Sequence, residues 1–280
     1  MRVLVIFHVY YEELVGYYLD RMSCIGGFDL IVTGNDLSEG TRDKIKAVRP
    51  DAVFLQCGNV GYDVWPFIAA VKSVNPEDYD FIIKLHTKNE DDRKFRIHSE
   101  TMTGSRWRKY MVDALIGNSR RFRRLAASFR KDPGLGIAYS QKLNARAKGG
   151  LPEDNVMLSE ELSRLGITPR SDMFCAGNMF AVRGAAVAFL LRDDIDESLF
   201  DRSGPTHGKA SMAHVYERLV PIAVVSNGYT RKLIPSGPLS ALYFALWGAL
   251  GPAVQWLFSI DHYGNDSRRY LKLFGFKIPL

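Results

Sequence analysis

DFIIKLHTKN, Asp80–Asn89, is the stretch whose reading decides the fold. Phe81-Ile82-Ile83 is an apolar, β-like run, and Lys84, His86 and Lys88 follow at every second position. An extended backbone sends alternate side chains to opposite faces, so these three share one face. Two ammoniums and an imidazole converging at the end of a buried strand are costly to hold unless something anionic sits among them. The competing reading is an exposed strand end carrying solvated lysines. The flanking sequence bears on which applies.

Upstream, Arg2–His8, Phe28–Thr33 and Ala52–Cys57 are three more apolar runs. Helical spacing fills the intervals over Glu12–Met22, Ser38–Val48 and Asp63–Val71. Downstream, Glu90–Gly104 is charged and aperiodic, which predicts a surface loop. Trp107–Ile116 and Arg121–Phe129 read as helices, Leu135–Tyr139 as a fifth strand and Asp154–Leu165 as a helix. Met173–Arg183 reads as a strand interrupted at Gly177, Gly184–Leu191 and Ser211–Leu219 as helices, and Ile222–Ser226 as a last strand. Buried runs separated by amphipathic helices predict an α/β domain with a mainly parallel central sheet flanked by helices. Such sheets bind ligands at the carboxyl ends of their strands. The functional end is therefore where Gly58-Asn59 and His86-Thr87-Lys88 emerge.

The chain has 280 residues, enough for one large domain or a domain with an appendage. A net charge of +6 admits phosphates, nucleotides or an anionic membrane surface as partners without selecting among them. Aromatics are not interleaved with the arginines as a strand-binding surface requires, so no nucleic-acid partner is expected. Cys24, Cys57 and Cys175 are far apart and lack metal or disulfide spacing, which fits a reducing cytoplasm. The first apolar run is too short for a signal peptide and is followed by Glu12-Glu13. Arg120, Arg121, Arg123, Arg124, Arg130 and Lys131 crowd one helix; this is a solvated face or a contact with a membrane or polyanion. The character changes at Gly237, dividing a domain over 1–236 from an appendage over 237–280. Pro238–Phe258 has no charged residue and, at ~1.5 Å per residue, could cross a core of ~30 Å. Gly251-Pro252 interrupts it, and Tyr243, Phe244, Trp247 and Trp256 suit an interface. Half-helices dipping into a membrane, a subunit contact or core cover, and a true span are the three readings.

Three constellations carry candidate chemistry. After the third strand, Gly58-Asn59 and Gly61 let the backbone approach a ligand, while Asp63 either accepts hydrogen bonds from a ribose or base or caps the next helix. Gly177-Asn178 is a second small-residue turn, suited to a sugar ring or to a bulge. His214, Glu217 and Arg218 share a helix face, placing a carboxylate between an imidazole and a guanidinium, as a general base or a surface salt bridge. No metal is called for. Asp78-Tyr79-Asp80 lies at the wrong end of strand four and Asp194-Ile195-Asp196 in a loop, while Lys84, His86 and Lys88 stand where an acidic pair would hold a cation. Cationic side chains can stabilise a leaving diphosphate in place of a metal.

Taken in order, HVYY, NVGYDVWPF, YDFIIKLHTK, SRWRKYMVDALIG, FCAGNMFAVR and MAHVYERL resemble the rhamnan synthesis protein F family across about residues 3 to 222. Tyr62 stands where that family usually has Arg, and the segment after Gly237 lies outside the resemblance. The resemblance implies a Rossmann-like, GT-A-like fold. It also implies a glycosyltransferase that uses a nucleoside-diphosphate sugar, such as a deoxyhexose donor, in cell-wall or lipopolysaccharide assembly. The nucleotide-sugar is a substrate; no cofactor is required, with a divalent metal left open. The acceptor would be a glycan or lipid-linked glycan, and the enzyme cytoplasmic, with a peripheral contact on the inner membrane. By the same resemblance, Asn59 and Asp63 contact the nucleotide, and Lys84, His86 and Lys88 surround the diphosphate with Trp107 and Arg108 nearby. Gly177 and Asn178 border the sugar and acceptor. Glu217 is the first candidate for the base of a single inverting displacement, His214 the second and Glu197 the third. A non-catalytic glycan- or nucleotide-binding relative is the alternative.

Overall fold

The structure is a computed structural model that describes residues 1–88, 95–97, 100–149, 151–203, 210–236, 258–262, 269–273 and 276–279. Two units are present, Met1–Ile234 and Pro235–Leu280. The first contains, in chain order, β1 (Val3–Val9), α1 (Val15–Met22), β2 (Asp29–Gly34), α2 (Glu39–Val48), β3 (Val53–Gln56), α3 (Val64–Lys72), β4 (Phe81–His86), β5 (Phe95–Ile97) and β6 (Glu100–Met102). It continues with α4 (Gly104–Ile116), α5 (Ser119–Lys131), β7 (Leu135–Ser140), β8 (Asn144–Arg146), α6 (Pro152–Arg164), β9 (Met173–Cys175), β10 (Phe180–Val182), α7 (Met212–Ser226) and β11 (Thr230–Ile234). The described part of the second unit is an antiparallel sheet of β12 (Phe258–His262), β13 (Arg269–Leu273) and β14 (Phe276–Pro279). The expectation of membrane-dipping half-helices over Pro238–Phe258 falls almost wholly on residues outside those described. No helix among the described residues is long and apolar enough to cross a membrane.

The central sheet has the order β11-β7-β10-β4-β1-β2-β3. Six strands run in one direction and β10 alone runs against its neighbours β4 and β7. Helices cover both faces, and the alternation of each strand decides which core a side chain joins. Leu4 and Ile6 of β1 and Ile82 of β4 pack with α3, α6 and α7. Val3, Val5 and Phe7, with Phe81, Ile83 and Leu85, pack on the other face with α1, α4 and α5. The chain leaves β1 for β2 and β3, then returns to place β4 on the other side of β1. The crevice at the carboxyl ends of β1 and β4 is thus a topological switch point, where open α/β sheets bind ligands.

Four expectations need correction. Met173–Arg183 is two strands in different sheets: β9 pairs with β8, and β10 enters the central sheet. Gly177 and Asn178 both take left-handed backbone, at φ of +92° and +57°, and reverse the chain between them. Ile222–Ser226 is helix, because α7 runs through Pro221. Val220 to Val224 are all buried, so the run is apolar on every side and shows no helical period. The last strand is Thr230–Ile234 instead. Gly184–Leu191 is 3-10 rather than α-helix. The loop expected over Glu90–Gly104 includes β5 and β6, which pair antiparallel, and the first residue of α4; its remainder lies largely outside the described residues.

Candidate functional site

The site begins as a row across the sheet. Parallel register sets His8 of β1 opposite His86 of β4 on one side and Thr33 of β2 on the other. One residue pair earlier on the same face, Lys84 lies beside Ile6 of β1 and Phe180 of β10. This face is the one covered by α3 and α7. Asp63 stands at the N-cap position of α3, yet its side chain caps nothing. It turns over the strand ends, where Lys84 Nζ donates to Asp63 Oδ2 and His86 Nδ1 lies 3.4 Å from the same oxygen. Because β10 is antiparallel, its first residues lie at the carboxyl end of β4. There Asn178 Nδ2 donates to Asp63 Oδ2 at 2.8 Å, and the Asn178 carbonyl accepts from Lys84 Nζ at 2.9 Å. The next link reaches α7, where Glu217 Oε1 accepts the Gly177 N–H at 2.8 Å. Asp63, Lys84, Asn178, Gly177 and Glu217 therefore form one connected polar network across four segments distant in sequence.

Lys84 is 1% exposed, with its ammonium over the rings of Phe67 and Phe180 at 5.5 and 5.9 Å. It is the countercharge of Asp63, and faces this carboxylate where a diphosphate was expected. The anion that the opening stretch requires is supplied by the chain itself. Burial works against ionisation of Asp63, but His86 and Lys84 more than offset it and hold the carboxyl below its ordinary range. Burial lowers His86 to about 3, aided by the Lys84 and Lys88 charges, and lowers His8 to about 4. Both imidazoles are neutral at pH 7, which leaves Lys84 as the charged partner of Asp63. Burial raises the Glu217 carboxyl pKa, against the Gly177 N–H bond and with the Asp63 charge. A carboxylate shifted this way is better suited to accepting a proton.

The remaining expected residues divide. Lys88 lies over the Trp107 ring at 4.8 Å, and Trp107 with Met111 closes the far side of Gly177. Arg108 is buried, 4.6 Å over the Tyr17 ring, with Nη1 3.4 Å from the Lys88 carbonyl. His214 and Arg218 do not flank Glu217 with hydrogen bonds as their spacing predicts. They turn to the buried Asp154, whose Oδ2 lies 3.8 Å from His214 Nδ1 and 3.1 Å from Arg218 Nη1. Asp154 Oδ1 also accepts the N–H of Ser211, the N-cap of α7, so these contacts fix the helix that carries Glu217. Glu197 is exposed and reaches toward Gly58. Asn59 lines a cleft of about 80 Å³ together with His8, Tyr10, Glu12, Asn35 and Tyr62. Among the described residues no three His, Cys, Asp or Glu side chains converge as a metal site.

Sequence reasoning missed His8, Thr33 and Thr87. His8 Nδ1 is 3.1 Å from the Thr33 hydroxyl, and the Thr87 hydroxyl accepts the N–H groups of both Tyr10 and Tyr11 at 2.9 Å, fixing the loop that follows β1. A signal existed: VLVIFH and FIIKLH are six-residue, mainly apolar runs that both end in His.

Comparison with known proteins places the chain in a family. The model of rhamnan synthesis protein F matches residues 1–229. Two proteins of Xanthomonas campestris pv. campestris, from strains B100 and ATCC 33913, are named "Uncharacterized protein WxcX". Each is 26% identical over 243 residues, covering 80% of this chain and 32% of the relative. The chain spans about a third of the length of these curated relatives. A crystal structure of S. aureus TarS, residues 1–349, aligns with a TM-score of 0.41 and 14% identity over 83% of this chain and 60% of that one. The chain belongs to the rhamnan synthesis protein F family.

Proposed function

We propose that this family member is a glycosyltransferase domain acting in cell-surface polysaccharide assembly. It takes a sugar, such as rhamnose or another deoxyhexose, from a nucleoside-diphosphate donor and passes it to a hydroxyl of a growing glycan. The observation that carries the reading is the network at the switch point, which ends on Glu217, a carboxylate with a raised pKa held by one backbone N–H. In this reading the acceptor oxygen attacks the anomeric carbon, the bond to the diphosphate breaks, and the acceptor proton passes to Glu217. A single displacement with one base inverts the anomeric centre. The donor nucleotide lies against the cleft beside His8 and Asn59, and Lys88 with Arg108 meets the diphosphate charge, while Lys84 holds Asp63. That assignment needs no metal. A peripheral position on the cytoplasmic face of the inner membrane, near a lipid-linked acceptor, belongs to the same reading and rests on the uncharged sequence of Pro238–Phe258.

The test is to incubate purified protein with a panel of labelled nucleotide-sugars and a membrane extract as acceptor source, with and without EDTA. The reading expects donor-dependent hydrolysis or transfer that survives chelation. Lys88→Ala should lower turnover at least about tenfold while leaving the melting temperature within a few degrees. Binding of a nucleotide-sugar without turnover would favour the non-catalytic alternative.

A further inference from the structure

Much of the positive charge of the chain lies in one stretch of sequence. Residues 104–131, which are α4 and α5 with their connection, hold nine Lys or Arg against the single acid Asp113. This surplus of eight exceeds the +6 of the whole chain. Helix α5 contains no acidic residue at all. At 3.6 residues per turn, Arg120, Arg123, Arg124, Arg130 and Lys131 fall within an arc of about 120°, shared only with Ala127. All five are exposed, and among the described residues none forms an ion pair. The opposite arc is the anchor: Leu125, Ala126 and Phe129 are buried, with Phe129 stacked on Phe81 of β4 at 4.8 Å. The five cations therefore project from a helix fixed to the central sheet, along a stripe about 16 Å long.

We propose that this stripe is a docking surface for an anionic lipid leaflet. Five like charges held side by side on a rigid helix repel one another, and a surface of opposite sign relieves that repulsion. A bilayer matches it better than a nucleic acid does. Both phenylalanines of α5 turn inward onto Phe81, so the stripe presents no ring for base stacking. A single convex helix face, moreover, meets a plane of headgroups more fully than it meets a groove. Each basic residue at such a surface contributes about fivefold to partitioning, so the stripe gives reversible, salt-sensitive attachment. The inference does not depend on the proposed transferase activity, nor on the sequence after Ile234.

The experiment is co-sedimentation of the full chain with vesicles of phosphatidylcholine alone and of phosphatidylcholine mixed with phosphatidylglycerol. The wild-type chain should pellet with the mixed vesicles, not with phosphatidylcholine, and should be released by high salt. The triple variant R120E/R123E/R124E should lose about a hundredfold or more in partitioning to the mixed vesicles. Circular dichroism and a thermal melt establish that it is folded, and the neutral R120Q/R123Q/R124Q variant, intermediate in binding, covers a failure of the first to fold. Equal partitioning of wild-type and variants overturns the proposal, as does equal binding to both vesicle types. Binding of a labelled oligonucleotide without any vesicle binding overturns it in favour of a nucleic-acid surface.

Discussion

Replacing Lys84 with Met tests whether this lysine is the internal partner of Asp63. The side chain of Lys84 is 2% exposed and that of Asp63 20%, so deleting the ammonium leaves a carboxylate with little access to water. Breaking a buried pair from one side costs about 3 kcal/mol. Met keeps the stem packed against Phe67 and Phe180, so the loss reports charge rather than volume. The decisive feature is its pH dependence, to which two effects contribute with the same sign. Without Lys84, Asp63 loses one of the cations that hold its carboxyl down, so its folded pKa rises from its depressed position. The folded variant then binds a proton more readily than the folded wild type, so part of the deficit at neutral pH is recovered as pH falls. Lys84 also depresses His8 and His86, so its removal lets them protonate closer to their ordinary pKa and softens the loss in acid. Urea unfolding at about pH 7.5 and about pH 5 should show a deficit that shrinks by at least about 1 kcal/mol at the lower pH. A deficit that is equal at the two pH values, or below about 1 kcal/mol at the higher one, refutes the assignment.

In the wild-type protein, His8 and His86 stay neutral in the fold down to about 4 and 3, whereas the unfolded chain protonates them near 6.5. The unfolded state therefore binds more protons below pH 6.5, and stability should fall with pH toward about 4, by roughly 1.4 kcal/mol per unit for each histidine. A stability–pH titration checks this, and an unchanged slope in His86→Gln would contradict it. Glu217→Gln keeps an oxygen for the Gly177 N–H and should fold normally, while transfer drops about 10²- to 10⁴-fold and the rise of rate with pH disappears. A variant that keeps its rate on labelled donor and acceptor removes Glu217 as the base. At Gly177, φ is +92°, and a Cβ would come within 2.5 Å of Met111 Sδ and 2.7 Å of Trp107 Nε1. Gly177→Ala should therefore cost about 2–4 kcal/mol; a thermal melt indistinguishable from wild type would show that the turn is not held as described.

The parallel part of the fold is legible because each buried strand is bounded by an amphipathic helix, and Phe81–His86 is a strand as the sequence predicts. What fails to show is any change of direction. Met173–Arg183 is apolar apart from Asn178 and Arg183, so only Gly177-Asn178 hints that β10 runs backwards, and a bulge has the same local signature. Yet that reversal assembles the site, since an antiparallel strand is what delivers its first residues to the carboxyl end of β4. The same limit applies to charge. Spacing along one strand puts Lys84 and His86 on a common face, but it cannot say whether the anion they meet is a ligand or Asp63, 21 positions upstream.

That Asp63 is the anion changes what the site can do. With Lys84 neutralised and both histidines uncharged, the interior offers hydrogen bonds rather than surplus positive charge. In the proposed reaction, charge on an incoming diphosphate falls to Lys88, over Trp107, and to the buried Arg108 beside it. Lys84 acts one step back. The Asp63 charge helps raise the Glu217 pKa, and the Lys84 ammonium paired to it partly offsets that charge. The lysine that looked like a ligand for phosphate is thereby a determinant of the basicity of the carboxylate at the other end of the network. Lys84→Met leaves Asp63 ionised but uncompensated at neutral pH, so it should move the pH–rate profile toward higher pH, beyond its effect on stability.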